Sequence, residues 1–555
     1  MPFVCLPTMK KIITLIIIST ILFSACNYLN GNRSTDENGN KTDNNLSKEK
    51  KISKRDYSIN EQNAYNGMFL DSSAVENFLQ KNKIADSIAR RIRSFYNTRN
   101  YQFAWFAKNG LTEQAFGFWS LQNYIGDTAT KSKHLHETMD ELMGNDSMLV
   151  NAKDKSVINT ELLLTENFIQ FARDNFEKGY VKRKEMERFI PFKKEEPIYL
   201  ADSLLNKKHK DDKYFSDINS SYKLLSGQLK KYADIAKAGG WPQIPADAKR
   251  LKKGKSSPEV PAIKKYLQFT GDLLQQDTSA IFNDNLSDGI KSYQSRFGYT
   301  TNGELSASLI KDMNVPALDR VKQILINMNR MRWMPQEPGG RLIVVNIPEF
   351  VLHVFDGKSK VFDINVVVGK DGHNTTIFSD KLTTIVFSPY WNVPRSIVQN
   401  EIEPAIKKDP NYLEKHNMES TGQSNGLPVV RQKPGGDNSL GKVKFLFPNS
   451  FNIYFHDTPA KELFNKNVRA FSHGCIRLSE PEKLADYLLK DNSKWTDEKI
   501  NEAMNSGNEQ FVALKNPVPV FITYYTAWVD ENGKLHFRND IYDQDSEIAK
   551  KMFAN

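Results

Sequence analysis

Cysteine is scarce in this 555-residue chain: Cys5, Cys26 and Cys475 are the only three, and beyond residue 26 only Cys475 remains. Structural zinc sites usually bring paired cysteines, and no H-E-x-x-H occurs, so a zinc centre is disfavoured although His456, His473 and Cys475 are ligand types. Long hydrophobic runs are also missing. The apolar stretch Ile12 to Phe23 would rise only about 18 Å as a helix, too short for a ~30 Å hydrocarbon core. No arginine-rich patch with interleaved aromatics accompanies the net charge of +10, so nucleic acid is not implied. Much of the lysine lies in helical and linker stretches and reads as solvated surface, with weak attraction to an anionic polymer or membrane as the sharper alternative. What is present suits a soluble globular protein: 39% hydrophobic and 26% charged residues, in a length that accommodates about three or four domains.

The N-terminal segment reads as a targeting signal. Met9-Lys10-Lys11 is a short positive region, Ile12 to Phe23 the apolar run, and Ser24-Ala25 the small residues before Cys26. Leu22-Phe23-Ser24-Ala25-Cys26 resembles a bacterial lipoprotein cleavage box, which implies cleavage before Cys26 and lipid on its sulfur. The alternative is an ordinary signal peptide with an incidental Cys26. If Cys26 is lipidated, Cys475 has no thiol to pair with, and an unpaired thiol in an exported protein is a candidate reactive group.

From Asn27 to about Glu61 the chain is polar with almost no aliphatics and reads as a flexible tether. Helix-spaced apolar residues then run to Asp247, as in Ile84 to Phe95, Leu162 to Phe176 and Tyr222 to Ala238. Between Leu251 and Val315 the pattern changes to short amphipathic helices around Val260 to Leu267, Gly289 to Gly298 and Leu305 to Met313, with a turn at Thr301-Asn302-Gly303. Tyr293-Gln294 and Asn302-Gly303 resemble the pattern of three-helix peptidoglycan-binding modules. Pro316 to Trp333 is one amphipathic helix. From Arg341 the period switches to strands: Leu342 to Ile347, Phe350 to Phe355, a turn at Asp356-Gly357, Val361 to Val368, Leu382 to Ser388, Val443 to Phe447, Asn452 to His456 and Val518 to Tyr525. Ile402 to Asp437 reads as a capping insertion or a surface excursion, and Ser479-Glu480-Pro481-Glu482 as a capping-box start for a helix through Leu489.

The chemistry converges on Ser472-His473-Gly474-Cys475-Ile476-Arg477 and on His456, at a strand end upstream. A thiolate is the reactive form of cysteine, and a histidine in reach can take its proton and pass it to a leaving amine. Gly474 lets the backbone turn tightly, so that nearby N–H groups can face a developing oxyanion. Acyl transfer through a thioester is the natural reaction class; a buried inert cysteine is the alternative.

Ser472-His473-Gly474-Cys475 and Arg477, preceded by His456-Asp457-Thr458-Pro459, resemble the L,D-transpeptidase signature. Asn346-Ile347-Pro348, Val367-Val368-Gly369, Pro389 to Pro394, Pro434-Gly435, Asn438 to Gly441 and Arg91 to Trp105 extend the likeness to the large branch often called YcbB-like, over roughly residues 70 to 545. Thr375-Thr376-Ile377-Phe378 departs from the family by lacking a proline. The resemblance implies a multidomain α+β chain: signal peptide 1–25, tether 26–61, helical scaffold 62–247, peptidoglycan-binding module 248–315, helix and linker 316–340, a mostly-β catalytic domain 341–530 with its cap at 402–437, and a C-terminal extension 531–555. It implies Cys475 as nucleophile and His456 as base. His473, Gly474 and Arg477 would support the turn and oxyanion site, and Trp391, Asn392, Tyr454 and Ser472 would line the substrate groove. The implied substrates are peptidoglycan stem peptides and glycan strands. Crosslinks between diamino-acid residues would form as D-alanine is released, without cofactor or metal. L,D-carboxypeptidase activity and a non-catalytic wall tether are the competing readings. Lipid anchoring through Cys26 would hold the protein on the periplasmic side of an envelope membrane, and carbapenems would acylate Cys475.

Overall fold

The computed structural model describes residues 51–126, 133–143, 149–174, 189–206 and 220–554. The signal segment, Cys26 and the first part of the tether lie outside them. Among the described residues no helix is long and apolar enough to cross a membrane.

Helices α1 (Ser72–Lys81), α2 (Asp86–Thr98), α3 (Glu113–Ile125), α4 (Lys133–Met143), α5 (Lys155–Ala172), α6 (Pro197–Leu205) and α7 (Ser220–Lys237) build the N-terminal unit, with a small hairpin of β1 (Phe106–Ala107) and β2 (Gly110–Leu111). Side-chain caps start several of them: Asp71, Thr112 and Asp154 accept first-turn N–H groups. The tether ends sooner than its composition suggests. Ile59 is fully buried, and the Asp56 N–H donates to the Asn97 carbonyl at 2.9 Å.

Three further helices, α8 (Val260–Thr270), α9 (Asp284–Arg296) and α10 (Ala307–Met313), follow, then α11 (Ala317–Met331). Gln294 holds the Asn302-Gly303 turn, donating to Asn302 Oδ1 at 2.7 Å and accepting from the Gly303 N–H at 2.8 Å. These helices are not a detached bead. Tyr266, Tyr293 and Phe297 share one hydrophobic core with α1–α7, α11 and the C-terminal residues Phe537, Ile548 and Phe553.

A second core lies inside the β unit. Its strands are β3 (Arg341–Asn346), β4 (Val351–Asp356), β5 (Ser359–Gly369), β6 (Phe378–Phe387), β10 (Val443–Leu446), β11 (Phe455–His456), β12 (Ala470–Ser472), β13 (Ile476–Leu478) and β14 (Gln510–Thr523). The sheet order is β12-β5-β13-β11-β10-β6-β14-β3-β4, and a β4–β5 pairing closes the strands from β5 to β4 on themselves, while β12 pairs only with the end of β5. β14 is longer than Val518 to Tyr525. Its prolines, which argue against a strand in sequence, fall at or just after a register shift between Ala513 and Val518. The cap also starts earlier than residue 402. β7 (Trp391–Asn392), β8 (Met418–Ser424) and β9 (Leu427–Gln432) form a three-stranded sheet with short helices α12 (Glu403–Lys408) and α13 (Tyr412–Lys415). The capping box is not made: α14 (Pro481–Leu489) has Glu480 at its N-cap without a side-chain bond, and Pro481 removes one N–H that would need a partner.

After α15 (Asp497–Asn505) and β14, the chain returns to the helical unit. β15 (Ala527–Val529) pairs with β16 (Leu535–Phe537), and α16 (Gln544–Met552) packs on α11. The residues beyond 530 are therefore a clasp between the two cores rather than an appendage. Buried Arg330 on α11 bonds Glu113 on α3 at 2.9 Å and Asp545 on α16 at 2.5 Å.

Candidate active site

One strand places the site. β5 pairs with β4 through Asn365, with β13 at Val366 and Val367, and with β12 at Val368 and Gly369. β12 ends at Ser472 and β13 begins at Ile476, so His473-Gly474-Cys475 is a turn slung between two strands that share the end of β5. β11 lies parallel to β13 with His456 opposite Arg477. Cys475 and His456, nineteen residues apart in sequence, are thereby carried on neighbouring strands, Cys475 just before the start of β13 and His456 at the end of β11.

Hydrogen bonds hold the turn. Ser472 Oγ donates to the Cys475 carbonyl at 2.5 Å and accepts from the Gly474 N–H at 3.2 Å. The Lys370 N–H donates to the Ser472 carbonyl at 2.9 Å. Gly474 sits at φ +112°, a conformation that L side chains rarely adopt. Ser472 is buried with its hydroxyl engaged inside the turn, where it also accepts the Gly474 N–H.

His456 is buried, and its ring Nδ1–H donates to the Asp457 carbonyl at 2.5 Å. That bond fixes the tautomer and leaves Nε2 as an acceptor. Burial, with the positive charges of Arg477 and Lys444, pushes the imidazole down to about 3. Lys444 faces His456 in register from β10, opposite to Arg477. Asp457 is anchored in turn: its carboxylate accepts the Lys442 N–H at 2.9 Å and pairs with Lys461 at 2.6 Å.

Cys475 is half-buried and free. Its thiol donates to the Asn452 carbonyl at 3.5 Å. Burial raises the thiol above its usual value, against hydrogen bonds from Tyr454 and the charge of Arg477, which favour the thiolate. Tyr454 is raised in return, by burial and then by Cys475, and its ring lies 5.8 Å from that of His456. Arg477 is itself depressed by burial. At rest the thiol and the imidazole are thus both neutral, with the charge of Arg477 acting on each.

The other expected residues are spread wider. His473 is exposed, 4.8 Å ring to ring from His373 and 3.6 Å from Glu401 on the cap, and burial lowers its pKa. Trp391 packs into the small cap core with Val393, Val398, Ile402 and Val430, while Asn392 is exposed on β7. Thr375, Asn452, Lys444 and Tyr542 were not singled out as site residues. The one signal for Thr375 was its place in the stretch that departs from the family pattern.

Residues 340–520 match the L,D-transpeptidase catalytic domain of the YkuD family, and residues 90–229 match the Scaffold domain. A curated Haemophilus influenzae protein named as an L,D-transpeptidase is 31% identical over 300 residues, 51% of this chain and 60% of that relative. The chain thus spans less than two thirds of it. Solved L,D-transpeptidase structures are more distant. That from Stackebrandtia nassauensis is 12% identical, covering 49% of this chain and 94% of its own, at TM-score 0.22. That from Mycobacterium smegmatis is 13% identical, covering 33% and 58%, at TM-score 0.19. Scores this low carry no argument. With the sequence matches set beside the fold, the chain carries an L,D-transpeptidase catalytic domain of the YkuD family behind a scaffold domain.

Proposed function

We propose that the chain is a peptidoglycan L,D-transpeptidase with Cys475 as nucleophile and His456 as general base. What supports this is a free thiol on a hydrogen-bonded turn just before β13 and, on neighbouring β11, a buried, neutral, tautomer-fixed histidine. Cys475 Sγ attacks the carbonyl at the L-centre of the diamino acid in a tetrapeptide stem as Nε2 of His456 takes its proton. The C–N bond to the terminal D-alanine breaks, and the proton held by His456 goes to the departing amine. A side-chain amine of a second stem then attacks the thioester, forming the crosslink and returning the thiol. Arg477 favours the thiolate as it forms.

The same reading assigns residues 248–315 to wall binding and Cys26 to a lipid anchor on the periplasmic face of an envelope membrane. Because α8–α10 share the scaffold core, deleting them would remove core as well as any binding surface. Pull-down of the full chain with insoluble peptidoglycan tests the first assignment, and absence of retention removes it. The mass of the membrane-extracted N-terminus tests the second: an unmodified Cys26 ends it.

Incubation with disaccharide-tetrapeptide, followed by mass spectrometry, tests the reaction. Loss of D-alanine with crosslinked dimers is expected. Loss of D-alanine with monomers alone reassigns the chain as an L,D-carboxypeptidase. An unchanged substrate leaves the wall-tether reading.

A further inference from the structure

We propose that Thr375 and Tyr542 are positioning residues for the Cys475 turn, an inference that rests on the acyl-transfer reading above. Thr375 is fully buried. Its Oγ1 donates to the Gly474 carbonyl at 2.8 Å and accepts from the Gly369 N–H at 2.9 Å, so one hydroxyl ties the end of β5 to the residue before the nucleophile. Tyr542 closes the same loop from the C-terminal clasp. Its hydroxyl donates to the Gly369 carbonyl at 2.5 Å and accepts the Thr375 N–H at 3.4 Å. Tyr542 is held in turn, with its N–H donating to the Tyr524 hydroxyl at 2.9 Å and the two rings stacked 5.6 Å apart. Tyr524 donates onward to Asp540 at 2.7 Å.

A Cβ placed on Gly474 would meet only the Asn374 carbonyl oxygen, at 4.0 Å, so no side chain is wedged against the turn from that direction. The Gly474 carbonyl is held by its hydrogen bond from Thr375. Valine would fill the volume of Thr375 without that bond. At Gly369, by contrast, a Cβ would overlap the His373 carbonyl oxygen, so the loop that carries Thr375 is tightly packed. A tightly packed loop therefore adds, through one hydroxyl, a restraint on the turn beside those from Ser472 and Lys370. Without it, Cys475 drifts relative to His456, and a misplacement of about 1 Å costs about 10²-fold in rate.

The test compares Thr375→Val, Thr375→Ser and Tyr542→Phe with wild type in the full chain, by the rate of imipenem adduct formation at Cys475 from pH 6 to 8. Thr375→Val should slow acylation by about 10²-fold at pH 7. It should also make the rate climb with pH, as a thiol separated from its base does. Thr375→Ser should restore both the rate and a flat profile, and Tyr542→Phe should lie between. Wild-type rate and profile in folded Thr375→Val, or an equal loss in Thr375→Ser, overturns the proposal. If Thr375→Val does not fold, an unchanged profile in Tyr542→Phe overturns it instead. A wild-type chain that neither takes imipenem nor releases D-alanine sinks the acyl-transfer reading itself, and this inference with it.

Discussion

The charge state of the resting pair predicts how acylation responds to pH. His456 is held down to about 3 and burial raises the Cys475 thiol above its usual value. At pH 7 both groups are therefore predominantly neutral. Under the proposed mechanism the reactive species is then not a preformed thiolate–imidazolium pair, and the neutral imidazole deprotonates the thiol as it attacks. Between these two values neither group changes state, so the rate of imipenem adduct formation in wild type should be flat from pH 5 to 8. In His456→Ala only spontaneous ionisation supplies thiolate. Its rate should fall ~10²–10⁴-fold below wild type at pH 7 and then rise about tenfold per pH unit. Intact-mass kinetics at fixed imipenem concentration read both profiles. An acid limb near pH 6.5 in wild type that disappears in His456→Ala would refute the reasoning, because it would mean that His456 is protonated in the resting protein.

Other expectations are more local. Cys475→Ala should abolish adduct formation and D-alanine release together, read by the same mass assay. Gly441→Ala should destabilise by about 2–4 kcal/mol in denaturant titration, since Gly441 sits at φ +60° and a Cβ there would overlap the Asp457 carboxylate beside His456. It should also slow acylation. His353 is raised to about 9, with Glu349 at 3.0 Å and Asp363 at 2.7 Å outweighing its burial. That stabilisation, at most about 3 kcal/mol, is complete below pH 6.5 and lost as pH rises through 9. The melting difference between wild type and His353→Gln should accordingly shrink across that window. Gly117→Ala should cost about 1–3 kcal/mol, because its Cβ would come within 2.8 Å of Trp333 where α3 meets the linker to β3. An unchanged melting temperature would refute that contact.

The parts of the protein most legible in sequence are those whose signal is local. The change from helical to alternating spacing at Arg341 marks the start of the sheet within a residue, because side-chain period is a property of neighbouring positions. Cys475 and His456 stood out because few residue types can do their chemistry. Pairings distant along the chain were not legible. Nothing in Asp540 to Tyr542 says that a tyrosine there will close the loop after β5, which lies 173 residues upstream. The polar stretch 51–61 read as tether because its one buried aliphatic, Ile59, is too little to register as a pattern. The start of the cap is not legible because β7 has only two residues and no strand signal of its own; its partner β9 defines it.

The same division explains why the site sits where it does. In the proposed mechanism the nucleophile must be exposed enough to meet a substrate, and Cys475 is only half-buried. The proposed base acts as a neutral imidazole, and His456 is buried between Lys444 and Arg477. One strand end reconciles the two demands. β5 holds β13, and through it β11 with the buried histidine, and its last residues hold β12 and the start of the turn. The remaining freedom, that of the turn itself, is removed by hydrogen bonds from Ser472, Lys370 and Thr375 rather than by apolar contact. Tyr542 carries that restraint back to the clasp, where Asp545 bonds Arg330 and Arg330 bonds Glu113 of the scaffold. The C-terminal clasp thus bonds both the loop beside the Cys475 turn and the helical unit.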